Sequence, residues 1–125
     1  MKISILTFFV FFTIGLWAQS VKQNATLSDD DKIEFLINKV EHLENAKFVR
    51  NGTYHDAKAA ASHLRLKWEK AGSAIKTVDD FIEKIATKSS ISGEPYTIEY
   101  SNGKKITAKE FYRLCLKELE KPAQP

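Results

Sequence analysis

The sequence predicts an α+β domain, mainly α, with about four helices and a small β-hairpin between the third and the fourth. Four stretches carry apolar residues at helical spacing, and each is opened by a residue type that caps helices. The segment from Tyr96 to Tyr100 is rich in β-formers, Asn102-Gly103 favours a tight hairpin, and Lys105-Ile106 can return as the partner strand. An isolated hairpin is marginal in water, so it is expected to lie on the helices.

The elements follow in order. Ser28, with Asp29, Asp30 and Asp31 behind it, supplies an N-cap and a negative first turn that complement the free amides and the dipole of a helix start. Ile33, Leu36, Ile37, Val40 and Leu43 then form one apolar stripe. Phe48-Val49-Arg50 reads as a short extended piece and Asn51-Gly52 as a turn, because both residues tolerate positive φ. Asp56 caps a second helix whose face holds Ala57, Ala60, Ala61, Leu64 and Trp68, with Gly72 as terminator. Thr77-Val78-Asp79-Asp80 has the form of a capping box, followed by Val78, Phe81, Ile82 and Ile85 on one stripe. The hydroxyls, glycine and proline of Ser89 to Pro95 end that helix. Thr107-Ala108-Lys109-Glu110 is a second capping box, with Phe111, Leu114, Cys115 and Leu119 facing inward and Pro122 as the stop.

The first twenty residues carry a different message. Lys2 precedes an apolar run from Ile3 to Trp17, and Ala18 and Ser20 follow as small residues. This is the pattern of a secretory signal peptide, expected to be cut after Ala18 or Ser20, and it places the protein in the periplasm or outside the cell. The run falls short of the ~20 residues of a spanning helix, so no stable membrane insertion is expected after cleavage. Residues 21–125 are expected to form one small globular domain, since no linker composition divides them. The net charge of +3 is small and interleaved, which argues against nucleic acid as partner. Cys115 is the sole cysteine, so no intramolecular disulfide can form.

Several ungapped motifs occur together. Phe48-Val49-Arg50-Asn51-Gly52, His63-Leu64 with Lys67, Thr77 with Phe81-Ile82, and Ser89-Ser90-Ile91-Ser92-Gly93-Glu94-Pro95-Tyr96 resemble a bacterial family of small secreted proteins known as a domain of unknown function. The resemblance covers nearly all of the chain beyond the signal segment and implies no activity.

The chemistry-bearing residues form one constellation. Ser89, Ser90 and Ser92 with Gly93 make a hydroxyl-rich loop able to aim donors at an anion or a sugar. Arg50 offers a planar fork suited to a carboxylate, Lys67 a charge, Asn51 both a donor and an acceptor, and His63 and Tyr96 polar tips on flat rings. The first reading is a non-catalytic binding module for a small polar ligand or an envelope component. The second is a small hydrolase using a loop serine with His63 as base. The third is a protein inhibitor of an envelope enzyme presenting Ser92-Gly93-Glu94-Pro95-Tyr96, a pentapeptide that fits the Ser-Gly-x-x-Tyr loop of periplasmic lysozyme inhibitors. No cofactor and no metal site is expected, because His55 and His63 share no helical face and no ligand-spacing motif completes a set.

Overall fold

A computed structural model describes residues 27–121; the predicted signal peptide and Pro122 lie outside them. The element order is α1 (Asp29–Glu41), β1 (Ala46–Arg50), β2 (Thr53–His55), α2 (Ala57–Ala71), α3 (Val78–Phe81), β3 (Thr97–Tyr100), β4 (Lys105–Thr107) and α4 (Ala108–Glu120). A 3₁₀ turn, Gly72–Ala74, follows α2, and a π-helical stretch, Ile82–Ala86, continues α3. The architecture is α+β and mostly helical, with the β3–β4 hairpin between the third and fourth helices.

The helix starts obey the capping chemistry. Oγ of Ser28 accepts from the amide of Asp31 at 3.1 Å, and Oδ1 of Asp56 from that of Ala59 at 2.7 Å. At Thr77 the box closes both ways, since Oγ1 accepts from the Asp80 amide and Oδ2 of Asp80 accepts from the Thr77 amide. Thr107 makes the forward contact to the Glu110 amide. The stripe Ile33, Leu36, Ile37 and Val40 is wholly buried, as are Phe81 and Ile82. On α4 the inward face is rotated from the expected one. Ala108, Phe111, Tyr112 and Cys115 are buried, and Leu114 is 51% exposed. Spacings of three and four from Ala108 reach Phe111, Tyr112 and Cys115, which leaves Leu114 on the flank of that stripe, half exposed.

The sheet is larger than a lone hairpin. Its four strands run antiparallel in the order β2-β1-β3-β4. Asn51 and Gly52, with φ of 51° and 74°, form a two-residue turn whose twist suits a hairpin, so Thr53–His55 returns against β1. β1 then pairs with β3 from Ala46↔Tyr100 to Val49↔Thr97. This pairing turns two marginal hairpins into one sheet. His55, Phe48, Ile98 and Ile106 stand in one row across it, on the face toward the helices. Val49, Tyr54, Thr97 and Thr107 stand on the other.

Candidate functional site

Of the eight residues singled out from the sequence, seven make contacts among themselves in three sets, and Ser90 joins none of them. The first is a clamp. Asn51, at the tip, donates from Nδ2 to Oγ of Ser89 at 3.1 Å, and Oγ of Ser92 donates back to Oδ1 of Asn51. Oγ of Ser89 also accepts from the amides of Ile91 and Ser92, and Oγ of Ser92 from the amide of Glu94. Backbone bonds from Ser89 to Glu94 and from Gly93 to Ser89 close the loop on itself. Ser89 is buried at its centre, whereas Ser90 is exposed and joins none of these bonds. The loop is thus held to the hairpin by its own hydroxyls.

The second group centres on His63. Nη1 of Arg50 lies against the imidazole, within reach of both ring nitrogens, and donates to the one that carries the lone pair. Burial lowers the pKa of His63, and the charges of Arg50, Lys67, His55 and Lys70 lower it further. A neutral histidine accepting from an arginine is the consistent state. Lys67, one turn along α2, is committed elsewhere. Its Nζ donates to the carbonyl of Ile85 at 2.8 Å and to the hydroxyl of Tyr96 at 3.2 Å, and stands 5.3 Å from that ring's centroid. Ile85 lies in the π-helical stretch near a helix end, where carbonyls lack intrahelical donors. Tyr96 itself is 1% exposed and packs on Phe48, so the end of the Ser92–Tyr96 pentapeptide points into the core.

Arg50 differs from the other arginines in its partners. Arg65 contacts Glu34 and Glu41, and Arg113 contacts Asp79 and Glu83. Arg50 has no carboxylate partner among the described residues. Its side chain instead lines a cavity of about 100 Å³ with Phe48, His55, Ala59, Ala60 and His63. His55 and Phe48 are site residues that helical spacing misses. They belong to it because the two-residue turn pairs Phe48 with His55 and so places both on the face toward α2.

The arrangement bears on chemistry directly. No hydrogen bond among the described residues joins His63 to Ser89, Ser90 or Ser92, so the relay that a serine hydrolase needs is not assembled. No three His, Cys, Asp or Glu side chains among the described residues gather to hold a metal ion. No described helix is long and apolar enough to cross a membrane. What the site offers is a cationic fork, a neutral base and a small apolar wall.

Comparison with known proteins adds kinship. The chain is 37% identical over 84 residues to the uncharacterized protein YfeK of Salmonella typhimurium (strain LT2), a match covering 67% of this chain and 66% of that relative's length. No solved structure matches it significantly. The family model of DUF5329, a family of unknown function, matches residues 27–120, which takes in all eight candidate residues and every element of the fold. The chain therefore belongs to the DUF5329 family.

Proposed function

We propose that the protein is an exported, non-catalytic binding domain that holds the carboxylate end of a small polar ligand or envelope component between Arg50 and His63. One observation carries this reading: Arg50 is the arginine without a carboxylate partner among the described residues, and it lines a cavity. A guanidinium fork matches a carboxylate in shape and charge, which makes the missing partner the natural ligand group. Phe48 and Ala60 supply an apolar wall that suits a methyl-sized substituent beside the carboxylate. His63 takes up a proton as the anion arrives, so binding is favoured as pH falls toward the histidine range. Export rests on the signal-peptide pattern of residues 1–20.

The test is thermal unfolding in formate, acetate or propionate against chloride at equal ionic strength. A site with a Kd of about 10 mM gains roughly 1.4 kcal/mol at about 100 mM ligand. That corresponds to a rise of about 6–11 °C. Arg50→Ala should lose this gain. Equal melting in acetate and chloride, or an equal gain in Arg50→Ala, would remove the proposal.

A second reading keeps the inhibitor idea but moves the presented segment from Ser92–Tyr96, whose Tyr96 is buried, to the neighbouring loop residue Ile91. It is 95% exposed on a loop already locked by hydrogen bonds, so little ordering entropy remains to be lost on docking. Under that reading Ile91→Asp abolishes inhibition of an envelope enzyme and Arg50→Ala does not.

A further inference from the structure

The outer face of the sheet, continued round the β2 edge to the end of α1 and the start of α2, carries a feature independent of Arg50 and His63. Cross-strand pairing sets Tyr54 opposite Val49, and Lys47 opposite Glu99, on this face. Tyr54 is 54% exposed on β2, the edge strand of the sheet. Two concavities, of about 470 and 570 Å³, meet at its ring and share Ala46 and Lys47. Each falls within the roughly 300–1,000 Å³ typical of small-molecule sites. One extends past Glu99 to Ser101, the other to Asp56 and Lys58. The ring is steadied by Lys47, whose ammonium lies 5.3 Å from its centroid.

We propose that this groove is a second binding site, for a neutral oligosaccharide that crosses the Tyr54 ring. The lining selects the ligand. A flat aromatic face accepts the C–H side of a sugar ring, and Lys47 and Lys58 as donors with Glu99 and Asp56 as acceptors suit vicinal hydroxyls. Glu41 also lines the groove but is paired with Arg65, which leaves Lys47 and Lys58 against Glu99 and Asp56, so a polyanion meets repulsion from Glu99 and Asp56. An apolar peptide would bury the ammonium groups of Lys47 and Lys58, and the remaining acceptor capacity of Glu99 and Asp56, without offering polar partners. A neutral polyhydroxylated chain can accept from the two lysines and donate to the carboxylate oxygens that the Ala59 amide and Lys105 leave free, without net charge of its own. The two concavities that share this one ring call for a ligand of at least two linked sugars rather than a monosaccharide.

The experiment is an amide NMR titration of the mature protein with maltotriose, cellotriose and chitotriose, each to about 10 mM. The expected result is that at least one trisaccharide moves the amides of Ala46, Lys47, Tyr54, Glu99 and Ser101 together. Tyr54→Ala should then weaken binding by about tenfold or more, and Tyr54→Phe, which keeps the ring, by less than about threefold. Arg50→Ala should leave the titration unchanged, which separates this site from the carboxylate site. The proposal is overturned if none of the three sugars moves these amides, if the shifts persist in a folded Tyr54→Ala, or if Tyr54→Phe loses as much as Tyr54→Ala.

Discussion

Ser89 and Ser90 are neighbours of the same type, yet the structure gives them opposite roles, and replacing each by alanine separates clamp from surface. Oγ of Ser89 accepts from Nδ2 of Asn51 at 3.1 Å and from the amides of Ile91 and Ser92 at 3.2 and 3.4 Å. Losing the bond to Asn51 costs about 1 kcal/mol. The two amides belong to exposed residues that water can reach, so each adds only a few tenths, for a total of roughly 1.5–2 kcal/mol. In a domain of this size that lowers the melting temperature by about 6–16 °C. Ser90→Ala, at an exposed hydroxyl without a hydrogen bond among the described residues, should stay within about 0.5 kcal/mol. Urea unfolding followed by the fluorescence of Trp68 reads both, since Trp68 packs edge-on against the core residue Phe81 and is the sole tryptophan once residues 1–20 are removed. If Ser90→Ala is as costly as Ser89→Ala, or Ser89→Ala costs less than about 0.5 kcal/mol, the clamp does not hold the loop.

Cys115 is 5% exposed, and burial with the nearby Glu118 charge pushes its thiol up to about 11, against a smaller opposing effect of Lys39. A thiol reagent should therefore label it only on unfolding, and fast labelling of the native protein would contradict the packing. The hydroxyl of Tyr112 is fully buried without a hydrogen-bond partner among the described residues, so Tyr112→Phe should raise stability by about 1 kcal/mol, and a loss on calorimetry would reveal a partner for it. The lowered pKa of His63 means that the unfolded chain takes its proton first as pH falls. Stability should hold above about pH 6.5 and decline below it until the folded-state value is passed. Arg50→Ala should make that decline shallower, and an unchanged slope would show that Arg50 does not act on His63.

Most of the helical framework was legible because its signals are local. Ser28, Asp56, Thr77 and Thr107 cap the helices they announce, and the stripes on α1 and in the segment from Val78 to Ile85 are buried as spaced. The sheet was less legible because its strands are three to five residues long, too short for alternation to declare itself, and because the β1–β3 pairing joins segments about fifty residues apart. Leu114, an apolar residue three after Phe111, fits an inward stripe by spacing alone. The bulkier ring of Tyr112 occupies the core instead.

The candidate site was legible as a set of residues and not as an arrangement. Asn51, Ser89 and Ser92 bond to one another, Lys67 bonds to Tyr96, and Arg50 meets His63, three pairings that no spacing along the chain encodes. The contact between Lys67 and the Ile85 carbonyl depends on a π-helical stretch with no clear sequence signature. His55 was within reach of sequence reasoning. Once Asn51-Gly52 is taken as a two-residue turn, counting back pairs His55 with Phe48 and puts it on the inner face.

The central claim, that Arg50 and His63 together await a carboxylate, is tested most directly by the pKa of His63, measured from its ring proton resonances in chloride and in acetate at equal ionic strength. The account predicts a value below the ordinary 6.5 in chloride, a clear rise in acetate, and no acetate-dependent rise in Arg50→Ala. A pKa that acetate leaves unchanged, or that rises equally without Arg50, would contradict it.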